Sequence, residues 1–218
     1  SSIYTEGVFF DLYLKAYWKF DELSGQVVYD SSVNNNDGIL GSSTGIDASD
    51  PQWVVLNEPC DVNVTFHVDT ADGNDTNDGL SRETAFATIQ KGIDVASDGD
   101  TVLVWPGVYH ESRTSGINFL GKAVTVRSAD EPAVLEVADH NAVTFNNGED
   151  GNSLLSHFII KDSDTAVYVS GSAPTLSYLT IVNNQKGLFA INSDVTVKNC
   201  IFRDNINGDI TGDFNSID

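Results

Sequence analysis

Hydrophobic and polar positions alternate at the start of the chain. Val8, Phe10, Leu12 and Leu14 interleave with Phe9, Asp11, Tyr13 and Lys15 within residues 3–20. A period of two is that of a strand. GQVVY at 25–29 and WVVL at 53–56 predict two more strands, and SSVNNNDG at 31–38 predicts a tight turn. NEPCD at 57–61 is polar, contains a proline and reads as a linker. Beyond it, VTFHVD predicts a strand, followed by a turn-rich acidic loop at 69–79. The period then changes. Phe86, Ile89, Ile93 and Ala96 recur at helical spacing and predict one helix over 85–96, ended by Asp98-Gly99-Asp100. TVLVW at 101–105 predicts a buried strand.

The last hundred residues repeat. HFIIKD from His157, YLTIVN from Tyr178 and NCIFRD from Asn199 start 21 residues apart. A second column, AVYV from Ala166, GLFA from Gly187 and GDIT from Gly208, keeps the same interval. Short apolar runs at this period, each followed by Asn, Asp or Gly, predict coils of a parallel β-helix. VLV from Val102 and VTV from Val124 lie 22 apart, so the period can start there. Phe158, Leu179 and Cys200 would form one ladder, with Ile160, Ile181 and Phe202 beside it; alternation leaves open which points inward. Asn184 and Asn205 share a column and predict a short amide ladder.

Composition narrows the function classes. The chain has 218 residues, 32 acidic and 11 basic, for a net charge of −21. That excess opposes nucleic-acid or membrane-surface binding through a basic patch. No apolar run approaches the ~18 residues of a membrane span. With 24 aspartates and 18 glycines, the composition favours short strands joined by many turns. Two cysteines, Cys60 and Cys200, are too few for a disulfide scaffold. Cys200 reads as a buried thiol, with a disulfide as the alternative. No methionine is present, which predicts a processed or excised chain.

FHVDTADGNDTNDGLSRETAFATIQKGIDVASDGDTVLVWPGVYHE carries a G-x-D-x-x-x-G loop (Gly73, Asp75, Gly79) and T-I-Q-x-x-I (Thr88, Ile89, Gln90, Ile93). It closes with G-D-T-V-x-V-x-P-G-x-Y from Gly99 to Tyr109. This text resembles the cap and first coil of pectate-lyase-like right-handed β-helix proteins. The resemblance implies a helix that caps the solenoid core. LKAYWKFDELSGQVVYDSSVNNNDGIL, within residues 14–54, looks like the opening of a laminin-G or concanavalin-like jelly roll. The expected fold is therefore all-β. A partial jelly-roll-like, short antiparallel β segment at 1–58 precedes a capped right-handed parallel β-helix at 62–218.

Several residues invite chemistry. Asp72, Asn74, Asp75 and Asp78, with Asp69 and Asn77, gather the hard oxygens that Ca²⁺ takes, though Asn77 stands where an EF-hand has glycine. A turn-rich cap loop is the other reading. Lyases on the resembled fold use a Lys or Arg base, with acidic residues that hold Ca²⁺; Lys161 and Arg203 fall in one column, near Asp162, Asp164 and Asp204. A solvated solenoid edge is the alternative. His67, His110, His140 and His157 lack a short metal spacing, and His67 and His157 are expected in strands. Trp18, Trp53, Trp105, Tyr109 and Tyr168 could stack on sugars or pack in the core.

The expectation is a non-catalytic, secreted or cell-surface structural or adhesive protein. Its partners would be copies of itself, joined through the strands at 3–20 or the coil edge at GDITGDFNSID, or a glycan. The alternatives are a polysaccharide lyase acting on acidic glycans, with Lys161 or Arg203 as base, and a glycan-binding module.

Overall fold

The computed structural model describes residues 3–5, 8–10, 15–18, 27–40, 63–111, 116–213 and 216–217. The chain divides into two compact units, Ser1–Cys60 and Asp61–Asp218.

In the first unit, Ile3–Thr5 pairs antiparallel with Val8–Phe10, so the predicted long strand is a hairpin over its described part. Val27–Val28 pairs antiparallel with Gly38–Ile39 across the predicted turn. Asp30 organises that turn. Its Oδ1 accepts from the Tyr17 and Ser32 N–H groups, and its Oδ2 accepts from the Ser32 hydroxyl and the Asn36 N–H. Burial pushes its carboxyl up, but these donors outweigh that and hold it at about 2. The predicted strand at 53–56, with Trp53, and Cys60 lie outside the described residues.

Among its described residues the second unit is a parallel β-solenoid of about five turns with one helix. Sheet I has seven strands: Thr65–Val68, Thr101–Val104, Thr125–Ser128, Leu154–Ser156, Thr175–Ser177, Asp194–Lys198 and Ser216–Ile217. Sheet II has five: Val108–Tyr109, Ala133–Glu136, Phe158–Lys161, Thr180–Val182 and Ile201–Arg203. Sheet III has five: Ile117–Asn118, Asn141–Phe145, Thr165–Ser170, Lys186–Ile191 and Ile210–Asp213. Each strand pairs with the equivalent strand of the next coil, so inward side chains stack into apolar ladders. Phe158, Ile160, Leu179 and Ile181 are all buried, so both predicted columns point inward. Cys200 and Phe202 continue them half-buried. Cys200 keeps a free thiol, pushed up by burial.

Phe158 and Ile160 lie two residues apart on one strand, so strand alternation itself turns both inward, and left-handed residues form the corners. His157, Tyr178 and Asn199, one per coil, have φ of 62°, 53° and 53°. Asp162, Asn183 and Asp204 repeat this at the next bend, with φ near 57°. A single left-handed residue turns the chain and resets the alternation. His157 therefore sits on a corner, not in a strand as expected.

Three other expectations shift. Val102 faces Val126, not Val124, so the early interval is 24 residues. Leu188 faces Ile210, so Gly187 is not level with Gly208; the last coil holds one extra residue. The helix α1 spans Ile89–Val95 and leaves Ala85 and Phe86 outside it. Phe86 instead forms a parallel bridge with Val68 and is buried. The Asp75 carboxylate takes the Ala87 and Thr88 N–H groups, and the Thr88 hydroxyl takes that of Lys91, so the helix starts after Thr88.

Two more distant side chains complete the helix ends. The buried Glu111 carboxylate accepts from Ile89 N–H at 2.7 Å. The Lys122 ammonium donates to the Ile93, Asp94 and Ala96 carbonyls at 2.7–2.8 Å. Both charges complement the helix dipole. Burial raises the Glu111 pKa above its ordinary 4.5, and its hydrogen bonds to the helix N–H groups only partly oppose this. A raised carboxyl pKa favours the folded state fully below the unfolded value, and that advantage is lost as pH rises through the folded value. Glu111→Gln should therefore gain stability relative to the parent as pH rises from about 4 to 7 in paired urea titrations. A constant difference across that range would refute this.

Candidate functional site

The acidic loop spends its oxygens on its own backbone. Asn74 Oδ1 accepts from the Thr76 N–H and hydroxyl. Asp75 holds the helix start, including the Thr88 hydroxyl at 2.9 Å. Asp78 accepts from Leu80 N–H, and the Thr84 hydroxyl, followed by that N–H, keeps its carboxyl below the ordinary range. Asp69, buried, accepts from Ala71 N–H and pairs with Arg82 at 3.2 Å. Asp72 is exposed. Among the described residues, no three His, Cys, Asp or Glu side chains converge on a common metal position. The donor set of this loop fits turn formation rather than a Ca²⁺ cage.

Lys161 and Arg203 do share a column, on the outward face of sheet II. The order across successive coils is Glu136, Lys161, Val182, Arg203. Val182 separates the two cations by two coil steps, about 10 Å. Lys161 Nζ lies 2.6 Å from Glu136 Oε1 and 3.3 Å from Asp162 Oδ2. His110 Nδ1 is 3.6 Å from the other Glu136 oxygen. The Glu136 hydrogen bond, then that of Asp162, raises the Lys161 pKa. A general base must lose its proton first, so this clamp works against that role. Arg203 lies 3.9 Å from Asp204, and a guanidinium stays protonated.

The aromatic residues divide. Tyr109 is core, its hydroxyl donating to the Trp105 carbonyl at 2.7 Å. Trp105 is half-buried beneath Arg82, whose guanidinium lies 4.0 Å from the ring centroid, and donates to His67 Nδ1. Trp18 is 42% exposed and donates to the Asn36 carbonyl. Tyr168 is half-buried beside Phe189 on sheet III. His140 is half-buried; its ring Nδ1 lies 3.2 Å from the Ala138 carbonyl, and its own carbonyl accepts from Asp164 N–H.

Two features carried no sequence signal. Tyr178 is 55% exposed and stacks on His157 at 4.8 Å, although left-handed corners usually hold Asn or Gly. A surface trough of about 590 Å³ runs beside sheet I, lined by Asn63, Asp98, Thr125, Asn152, Leu154 and Thr175 among others.

No family model and no curated protein matches the chain. Among solved structures it is similar to the GH136 lacto-N-biosidase from Eubacterium ramulus, at 11% identity and a TM-score of 0.31. The match covers 63% of this chain and 26% of that one, so the chain spans about a quarter of that enzyme's length. A likeness this distant carries nothing about activity. Among the described residues, no helix is long and apolar enough to cross a membrane.

Proposed function

We propose that this chain is a non-catalytic structural or adhesive β-solenoid, secreted or displayed at a cell surface, and related in its cap to pectate-lyase-like proteins. The observation that supports this is the Lys161 clamp: the best-placed base for β-elimination is an ammonium between two carboxylates. The coil-to-coil bonding of buried polar groups supports a stiff rod. Ser163 N–H donates to Asn184 Oδ1, and Asn184 N–H to Asn205 Oδ1. Gly121 N–H donates to Glu149, which also accepts from the Ser172 hydroxyl. Self-association through strand edges belongs to the same reading.

The test is incubation with pectate, alginate and sulfated glycans in the presence of Ca²⁺. The expected result is no release of unsaturated sugar. Turnover that vanishes in Lys161→Ala or Arg203→Ala would replace this reading with a lyase.

A further inference from the structure

The outward faces of sheets I and II are spelled differently. On sheet I the outward column from Thr65 to Thr196 is threonine at five of six levels, with Leu154 the exception. On sheet II the corresponding column reads Val108, Val134, Ile159, Thr180 and Ile201. Branching at Cβ suits a strand with or without a hydroxyl. Threonine would therefore build sheet II as well as it builds sheet I. Valine and isoleucine instead put methyl groups in water. Val108 is 44% exposed and Ile201 55%, and the three residues between them are half-buried. The stripe crosses four coil steps, about 19 Å. A continuous outward apolar stripe marks an interaction surface rather than a need of folding.

A charged column runs beside it, in the order Glu136, Lys161, Val182, Arg203. It starts on a carboxylate and ends on a guanidinium. Glu136 gives Oε1 to Lys161 at 2.6 Å. Its Oε2 lies 3.6 Å from His110, too far for a hydrogen bond, and keeps acceptor capacity. Arg203 is exposed, and its ion pair with Asp204 is long at 3.9 Å. Its five donors are mostly unspent.

This order selects a partner and a register. At a net charge of −21, two copies repel unless their local charges interlock. A second copy can meet sheet II face to face about a two-fold axis along the strand direction. The two solenoids then run antiparallel, and each column faces itself. Place the axis midway between Phe158–Lys161 and Thr180–Val182, which pair in register. Glu136 then meets Arg203 of the second copy at both ends of the contact. Val134 meets Ile201, Ile159 meets Thr180, and Lys161 meets Val182. A shift of the axis by half a coil sets Lys161 against Lys161 or against Arg203. A shift of one coil towards the cap pairs Glu136 with Lys161, but leaves Ile201 in water.

We propose that the outward face of sheet II joins two antiparallel copies of this chain, with a Glu136–Arg203 pair closing each end of the apolar stripe. Two columns over four coils make a small contact, so the dimer should be reversible, with Kd on the order of 10–100 µM. The contact uses a sheet face whose backbone groups already pair, not the strand edges. It therefore stands whether or not the scaffold reading holds.

The experiment is sedimentation equilibrium of the full chain from about 5 to 500 µM, which brackets that Kd. A monomer–dimer equilibrium is expected. Arg203→Glu and Glu136→Arg should each weaken it at least about tenfold, because like charges then meet at both ends. An equimolar mixture of the two variants should recover the dimer, because unlike charges then meet at both ends. Ile159→Thr, with an unchanged thermal melt, should weaken the dimer, whereas Leu154→Thr on sheet I should not. A strict monomer throughout would overturn the proposal. So would a dimer indifferent to both charge variants, which is the behaviour of a strand-edge contact, or a mixture no tighter than either variant alone.

Discussion

Asn184→Ala should destabilise the solenoid by roughly 3–5 kcal/mol, one of the largest single-residue effects expected outside the cap. Asn184 is 1% exposed and fully bonded. Its Nδ2 donates to the Ile160 and Val182 carbonyls and to Asn205 Oδ1, all at 3.0–3.1 Å. Its Oδ1 accepts from Ser163 N–H at 3.0 Å. Truncation removes four bonds, orphans the buried Ser163 N–H and leaves a void. Urea unfolding measures the loss; a change below about 1 kcal/mol would mean that water or a shifted Asn205 replaces the amide. Asn184→Asp is a sharper control. It points a carboxylate at three oxygen acceptors, so its folded pKa must rise above the unfolded ~3.9. A raised pKa means stability present below about 4 and lost as pH rises. The Asp variant should thus be closer to the parent at pH 4 than at pH 7. The reverse order would show that the amide is not oriented by those acceptors.

This ladder was legible in the sequence because Asn184 and Asn205 fall in coils of identical length. The same regularity exposed both apolar columns of sheet II, but not that both point inward. The earlier coils hid themselves. Thr125 faces Leu154 across 29 residues, and Glu136 faces Lys161 across 25, so a 21-residue frame places neither pair together. That is why the Lys161–Arg203 column could be read while the carboxylate that neutralises Lys161 could not. The slip at Gly208 has a different cause: a parallel pair tolerates an extra residue in the preceding turn, and Gly-Asp repeats mask it. His157 and Tyr178 were unreadable as corners because bulky residues seldom adopt positive φ. In the cap, the ordered glycine and Thr-Ile-Gln motif did mark the helix. Its exact start depended on the carboxylate of Asp75, which acts across twelve residues of loop.

Gly73→Ala and Gly79→Ala should each cost the cap about 3 kcal/mol or more, by different routes. Both glycines press on Phe86, which is 2% exposed and closes the first coil. A Cβ on Gly73 would lie 2.1 Å from the Phe86 carbonyl oxygen and 2.3 Å from that of Asp69. Those atoms accept from Asp69 and Gly73 N–H groups, so relief means breaking the loop's own bonds. Gly79 has φ of 72°, and its Cβ would fall 2.3 Å from the Phe86 ring. It therefore adds left-handed strain of ~1–2 kcal/mol to a steric clash with a buried ring. Two other glycines separate the contributions. Gly148 has φ of 79° with nothing within 4 Å, so Gly148→Ala should show the backbone cost alone, about 1 kcal/mol. Gly151 has neither positive φ nor a neighbour within 4 Å, and Gly151→Ala should be neutral or stabilise by up to ~1 kcal/mol. Urea titrations of the four variants should rank Gly79 and Gly73 well above Gly148, with Gly151 last. If Gly79→Ala costs no more than Gly148→Ala, the Phe86 ring can yield, and the cap is not the tightly packed lid that its glycines imply.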